Sequence, residues 1–515
     1  MSIAPSSSHG ALHRFQELSH LDPDAAFLSV DGQILTRSSF LEQVAQAAGA
    51  YSRLGIGEND VVAICSPNRL EWCVAFWGAV AIGAIPAPLD PATGIWEMRQ
   101  LLPILRPRLA VSTTAFRGGD PSDRLRQAMP GLALVTLDGI RPNALAWEDL
   151  LSDAPVLRLD RAVGSNDILL YACTSGTTGN PKILAVPHLG FLKSQEDMAA
   201  HLGWTKSDKV LLGMPLFHQG GFGMGLQALV AGSSAMYVQA FDPTSFLDHL
   251  ASTRATVAQL SPTLGKLVLS VPGFVDRNLS CWRMAYFAGE VLPDDLAARF
   301  WQDLSLRVVN VVGSSETGTM LAWDSLTDRG HSASDLAELP FTSARILSET
   351  GDPIPDGEAG VLWISTDALL ARYEGNPALT ESVLIERDGR RWFCTGDLAK
   401  RLANGRLRFL GRAKRVVKRG PNLVHPEEVE AFLLGHPSIA AVAVGKEPNE
   451  IFGECLVAWI QPAPGKTLAR SDVVEFCRDQ ISAYKIPDRM QFVDILPTDV
   501  GKIQHIRLRE TGNKP

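Results

Sequence analysis

Residues 171–182, YACTSGTTGNPK, are the stretch on which the reading of this chain turns. The apolar run that leads into it, DILLYAC at 167–173, has the length and composition of a buried strand. The run breaks at Thr174 into Ser175, Gly176, Thr177, Thr178 and Gly179, and closes with Asn180, Pro181 and Lys182. Glycines let backbone N–H groups approach an anion closely, the hydroxyls add donors, and Lys182 adds positive charge. Any such loop can be a plain turn, because Gly, Ser, Thr, Asn and Pro are turn residues. A whole string of this kind, placed behind a strand and closed by Pro-Lys, predicts a phosphate cradle instead. It is not a Walker A loop: the position five past Gly176 is Pro181, and no Gly-Lys-Ser/Thr follows.

The totals bound the class. A chain of 515 residues predicts two or more domains with large cores. Apolar content of 46% and charged content of 20% are those of an ordinary soluble globular enzyme. A net charge of −8 argues against a general nucleic-acid binder. The seven cysteines are scattered and contain no CxxC, which predicts reduced thiols in a cytoplasmic protein. The N-terminus has no apolar signal core. The longest uncharged run, Trp72 to Leu89, is broken by Gly78, Gly83, Pro86 and Pro88, so it reads as a buried helix and strand rather than a membrane span.

Outward from the cradle, residues 1 to about 20 read as a loose leader, and Asp31-Gly32 as a hairpin turn. Ser38 or Ser39 is placed to cap a helix over 40–54. Strand and helix then alternate to about residue 330 (VVAIC, LAVST, LALVTLD, DILLYAC, KVLLGM, SAMYVQ, TVAQL, MAYFAG, LRVVNVVG), which predicts α/β architecture with mainly parallel sheets flanked by helices. After about 340, ARILSE, GVLWIS, RWFCTGDL and LRFLGRA are short strands joined by Asp/Gly/Asn turns and predict a small antiparallel β subdomain. The last hundred residues predict a compact α+β unit, with a helix from Pro426, strands IAAVAVG, CLVAWIQP and FVDIL, and a helix capped by Ser471 or Asp472. The expected domains are 1–410, a hinge at 411–414, and a mobile small domain at 415–515.

The string at 171–182 resembles the phosphate loop of the adenylate-forming superfamily, which comprises acyl- and aryl-CoA synthetases, peptide-synthetase adenylation domains and luciferases. Further motifs recur in that family's order over nearly the whole chain. NVVGSSE at 310–316 is similar to its N-x-Y-G-x-T-E, which implies that Glu316 holds Mg²⁺ and Ser315 faces the α-phosphate. Val312 stands where the family has an adenine-stacking aromatic, and Ser315 where it has Thr. AGEVLP at 288–293 resembles the loop against adenine and the acyl pocket, which implies roles for Gly289 and Glu290, with Gly313 also at the pocket. CTGDL at 394–398 resembles the T-G-D motif, which implies that Asp397 accepts hydrogen bonds from the ribose hydroxyls. GRAKRVVKRGPNLVHPEEVE at 411–430 resembles the hinge: Arg412 would reach ribose or phosphate, Lys414 would be the pivot, and Gly420 would border the thiol path. TDVGKI at 498–503 resembles the catalytic T-x-x-G-K loop, which implies that Lys502 contacts the carboxylate and the α-phosphate; the proline lies adjacent to the Thr, at Pro497, rather than two residues before it. PLFHQGGFGMG at 215–225 resembles the acyl-pocket motif, with His218 where amino-acid activators carry Asp, so an acyl or aryl acid is expected, lined by His218 and Gly221.

The resemblance implies an ATP- and Mg²⁺-dependent ligase that makes an acyl- or aryl-adenylate and then a thioester. The thiol would be CoA or the phosphopantetheine of a carrier protein. The catalytic set would be Lys502, Glu316 and Thr174. Homodimer formation stays open at this stage. A nucleotide-binding protein without catalysis is the rival of another class, suggested by Val312 and Pro497, and a luciferase-like oxygenase is a distant third.

Overall fold

The computed structural model describes residues 9–174, 181–290, 292–328, 330–355, 357–412, 416–420, 422–494, 496, 498–499 and 502–503, with backbone alone at 275, 411, 412, 427, 498, 499, 502 and 503. The fold is α/β, with large and small parts. In the centre of the main sheet, strands Ser234–Tyr237, Lys209–Leu212, Val257–Leu260, Met284–Ala288 and Arg307–Ser314 run parallel. A second parallel sheet of five strands is built around Val61–Cys65, all of whose residues are buried. Strands buried on both faces need continuous apolar runs, and VVAIC, MAYFA and ILLYACT supply them. No helix among the described residues is long and apolar enough to cross a membrane. Trp72 to Leu89 divides into the helix Leu70–Ala81 and the strand Ile85–Leu89, with Gly83 at positive φ between them.

Four local expectations are corrected. Of the expected loose leader, residues 1–8 lie outside the described residues, but its second half is ordered: Ala11–Leu21 is a helix whose Phe15 is buried edge-on against Phe27 and Trp77. The Asp31-Gly32 hairpin forms, but the next helix, Arg37–Arg53, is capped by Thr36, with Ser39 returning the bond to the Thr36 N–H. Strand Ile168–Thr174 is not part of a parallel sheet. It pairs antiparallel with Lys182–Pro187, because the chain between them is far shorter than the dozen or so residues a parallel crossover needs. The helix expected to be capped by Ser471 or Asp472 starts at Arg470, with Asp472 reaching back to the Ala469 N–H. The antiparallel strands after 340 form as expected and continue the main sheet, giving a 14-stranded sheet across the described residues. FVDIL contributes only Phe492, the last residue of the strand Arg489–Phe492.

The C-terminal part is a five-stranded sheet with the helices Pro426–Leu433 and Arg470–Cys477. It docks on the helix Ile95–Leu105. The N–H groups of Ile95 and Trp96 donate to the carbonyls of Asp479 and Gln480 at 3.0 and 3.1 Å. A Cβ on Gly94 would stand 2.1 Å from the Gln480 carbonyl, so this close approach needs glycine. Glu97 accepts at Oε2 from Ser482 N and Oγ, at 2.7 and 2.8 Å. Lys485 bridges Glu97 and Glu428, and all three are under 9% exposed. Burial alone would lower the Lys485 pKa, but Glu97, Tyr484 and Glu428 hold it above the ordinary lysine range.

Candidate active site

The hairpin Ile168–Thr174/Lys182–Pro187 presents Thr174 opposite Lys182 at the end where the chain connects the two strands. Ser175, Gly176, Thr177, Thr178 and Gly179 lie outside the described residues. The short strand Arg372–Tyr373 adds to the other edge of this hairpin, with Tyr373 opposite Leu184. That pairing puts the Tyr373 ring beneath the Lys182 ammonium, 5.5 Å from nitrogen to ring centre. The Tyr373 hydroxyl donates to Glu316 Oε1 at 3.0 Å. Lys182 and Glu316, 134 residues apart in the chain, thus meet at one tyrosine. Tyr373 carries no motif of its own; an aromatic between Arg372 and Glu374 just before Gly375-Asn376 is its only sequence signal.

Glu316 sits in the turn between Arg307–Ser314 and Gly318–Asp324. Its N–H donates to Ser314 Oγ at 3.2 Å, and its carbonyl accepts from Leu370 N at 2.7 Å. Gly313 is forced by sterics, since a Cβ there would lie 2.3 Å from the Gly318 carbonyl oxygen. Glu316 and Ser315 are half-buried. A carboxylate oriented by a phenol, with a hydroxyl residue beside it, is a hard-oxygen donor set of the kind that holds Mg²⁺ between phosphates. Val312, in the place of the expected aromatic, packs partly buried against the apolar cluster of Leu321 and Met320.

Gly289 has φ +89°, a conformation open to glycine, and faces the Met214 methyl. Glu290 accepts from Thr263 Oγ1 at 2.7 Å, and its Oε1 is buried without a partner among the described residues. His218 caps the helix Gln219–Val230, its Nδ1 accepting from Gly220 N. Gly221 cannot be replaced without movement, because a Cβ would stand 2.2 Å from Pro215 O. Asp397 lies on Arg390–Arg401 opposite Arg412, with its N–H donating to Thr395 Oγ1 at 3.0 Å. Gly420, at φ +57°, forms the tight turn between Val417–Arg419 and Asn422–Val424. Lys502 pairs through its backbone with Asp499. Lys414 and the side chains of Arg412 and Lys502 lie outside the description.

Burial pushes the Cys173 thiol, beside Thr174, up to about 12, so it is not poised as a nucleophile. A separate cleft of about 740 Å³ is lined by Lys193, Glu196, Asp367, Arg390 and Arg391 among others, and includes none of the residues expected at the site.

The comparisons with known proteins agree with this geometry. Residues 15–374 match the family described as AMP-binding enzyme, and residues 428–502 match the AMP-binding enzyme C-terminal domain. Feruloyl-CoA synthase from Amycolatopsis sp. is 28% identical over 489 residues, covering 94% of this chain and 95% of the relative. Indoleacetate–CoA ligase from Aromatoleum aromaticum is 28% identical over 501 residues, covering 95% and 96%. Among solved structures, the amide bond synthetase McbA from Marinactinospora thermotolerans superposes with a TM-score of 0.84 at 21% identity, over 98% of this chain and 99% of that one. The two family matches and the length they cover lead to one assignment: the chain belongs to the AMP-binding enzyme family, within the adenylate-forming superfamily.

Proposed function

We infer that this protein is an ATP-dependent, AMP-forming acid–thiol ligase that converts a carboxylic acid to its adenylate and then to a thioester of CoA. The observation that carries this reading is the meeting of Lys182 and Glu316 at Tyr373, beside the Thr174–Lys182 pair from which the hydroxyl-rich connection springs. The names of the relatives, two of them CoA ligases of aryl-bearing acids, support CoA as acceptor and a compact acid as substrate.

A carboxylate does not transfer its acyl group to a thiol directly, because oxide would have to leave. Attack of the carboxylate oxygen on the α-phosphorus of ATP forms an acyl–phosphate anhydride and expels pyrophosphate. Attack of the thiol sulfur on the acyl carbon then expels AMP. The nucleophile of the first step is already an anion, so no general base is needed. What the protein supplies is positioning and fixed charge. In this reading Thr174, Ser175, Gly176, Thr177, Thr178, Gly179 and Lys182 hold the phosphates. Glu316 would hold Mg²⁺, which when bound neutralises phosphate charge, and Ser315 would face the α-phosphate. Asp397 and Arg412 hold the ribose, Gly289 and Glu290 border the adenine, and Lys502 stabilises charge on the reacting carboxylate and α-phosphate. The segment 411–414 is the hinge, with Lys414 as its pivot. The small domain swings to bring Gly420 to the thiol path for the second step.

The test is exchange of labelled pyrophosphate into ATP over a panel of fatty, aryl and amino acids, followed by product analysis with CoA. Acid-dependent exchange and an acyl-CoA product are expected. Exchange without acyl-CoA would move the thiol acceptor to a carrier-protein phosphopantetheine. Absence of exchange with every acid would leave a nucleotide-binding protein without this activity.

A further inference from the structure

The cleft of about 740 Å³ lies apart from the candidate active site, and its volume is that of a small-molecule pocket. One wall is the helix His188–Leu202, on which Lys193 and Glu196 follow Leu189 by four and seven residues and so share its face. The other wall is made by the loop at 365–369 and the start of the strand Arg390–Arg401. The walls meet at Gly190, where a Cβ would stand 2.0 Å from the Asp367 carbonyl oxygen.

The charges in this cleft are sorted by position. Lys193 is neutralised on its own helix, its Nζ lying 2.6 Å from Asp197 Oδ2. Asp367 and Glu196 both act on Lys193, so these two carboxyls stand at one end of the cleft. Neither carboxyl has a hydrogen-bond partner among the described residues. Glu196 is half-buried, and burial raises its pKa, with Asp197 and Glu17 adding and Arg14 and Lys193 opposing. A desolvated carboxyl to which nothing donates calls for a cation. The strand side is cationic instead. Arg390 donates from Nη1 to Ser343 Oγ at 2.9 Å, and Arg391 from Nη2 to the carbonyls of Leu370 and Ala371 at 3.1 and 3.0 Å. A guanidinium carries five N–H groups, so each arginine retains unused donors.

We propose that this cleft is a regulatory site for a zwitterion, an amino acid or short peptide whose ammonium lies against Glu196 and Asp367 and whose carboxylate lies against Arg390 and Arg391, and that its occupancy weakens ATP binding. A lone anion or a lone cation serves only one end. Arg391 links the cleft to the candidate active site. Leu370, whose carbonyl it holds, donates its N–H to the Glu316 carbonyl at 2.7 Å, and Tyr373 follows in the same segment. A carboxylate that draws the guanidinium outward competes with the carbonyls of Leu370 and Ala371, and so loosens the segment that steadies Glu316. The binding half of the proposal is independent of the ligase reading; the effect on ATP rests on it.

The test is titration calorimetry on the full-length protein with glycine, 4-aminobutyrate, 6-aminohexanoate, diglycine and triglycine. At least one is expected to bind saturably, and its N-acetyl and methyl-ester forms, each lacking one charge, about 10-fold or more weakly. Glu196→Gln and Arg390→Gln should each weaken that binding by a similar factor and leave ATP binding to the empty protein unchanged. At saturation the zwitterion should raise the Kd for ATP about fivefold or more, and ATP should raise the Kd for the zwitterion by the same factor. Arg391→Gln, which removes the link itself, should raise the Kd for ATP with no zwitterion present. Binding by none of the series, binding unmoved in folded Glu196→Gln and Arg390→Gln proteins, or an ATP affinity indifferent to saturating zwitterion overturns the proposal. Each of these leaves the ligase reading standing, because acid-dependent pyrophosphate exchange decides that separately. Failure to bind ATP at all removes the ligase reading, and the proposed regulation with it.

Discussion

Lys485→Met tests how the small domain is held. In the native protein one ammonium neutralises two carboxylates, with 2.6 Å to Glu428 Oε1 and a shorter contact to Glu97. Glu97 has other donors in Gly94 N and Ser482, but Glu428 Oε2 is buried with no partner among the described residues. Burial already raises the Glu428 pKa, and Glu97 adds to it, with Lys485 opposing both. Methionine fills a similar volume but leaves two acids facing each other out of water. Breaking a buried ion pair from one side costs about 3–5 kcal/mol. At about 1.4 kcal/mol per tenfold, the docked arrangement loses a factor of roughly 10²–10⁴. The chain can relieve this by undocking the C-terminal sheet from the helix Ile95–Leu105, so the expected first event is separation, not global unfolding. Limited proteolysis between residues 411 and 421 and amide exchange at Ile95 and Trp96 report it directly. The sign with pH is fixed by the same groups. Once the cation is gone nothing opposes the upward pull of burial on the Glu428 carboxyl, so docking in the variant is weak at neutral pH and recovers as pH falls and Glu428 takes up a proton. Adding Glu97→Gln should restore part of the loss. A Lys485→Met protein with native exchange and proteolysis at neutral pH would refute this account.

Tyr373→Phe keeps the ring under Lys182 and removes the bond to Glu316; at about 1.5–3 kcal/mol for a bond to a charged group, kcat/KM for ATP in pyrophosphate exchange should fall about 10- to 100-fold. Lys502→Ala should abolish adenylation while leaving thioester formation from preformed adenylate, measured as separate half-reactions; equal loss of both would contradict the domain swing. Asp397→Ala should chiefly weaken ATP binding, read by titration calorimetry. His188 is buried and accepts from Ala11 N at 3.3 Å; burial lowers its pKa to about 4, with Asp167 opposing. Its folded pKa is below the unfolded value, so its contribution is complete above about 6.5 and is lost as pH falls toward 4, up to about 3 kcal/mol. His188→Gln should flatten that segment of the stability–pH curve in denaturant titrations.

The family was legible in residues 171–182 and 310–316, because its motifs restrict residue types within a short window. The hairpin turn Asp31-Gly32 and the helix opened by Pro426 were legible for the same local reason. What escaped was set by long-range packing. Glu97 and Lys485 look like surface charges in sequence, and only docking buries them. The leader became a helix because Phe15 finds Phe27 and Trp77. The apolar run DILLYAC fits a parallel or an antiparallel strand equally well, and the short connection decided between them. Tyr373 has no local signature, since its meaning lies in Lys182 and Glu316, which stand opposite.

The short strand Arg372–Tyr373 has a consequence for how such a protein can change. It fastens the ring beneath Lys182 to the hairpin by main-chain register, whereas the helix Gln219–Val230, which His218 caps, packs on the parallel strands of the main sheet. With the acid's tail beside that helix, as expected from the acyl-pocket motif, substitutions that reshape what the tail meets would leave the spacing of cation and ring untouched. New substrates become accessible by drift in one layer while the energy-coupling chemistry of the other is inherited intact.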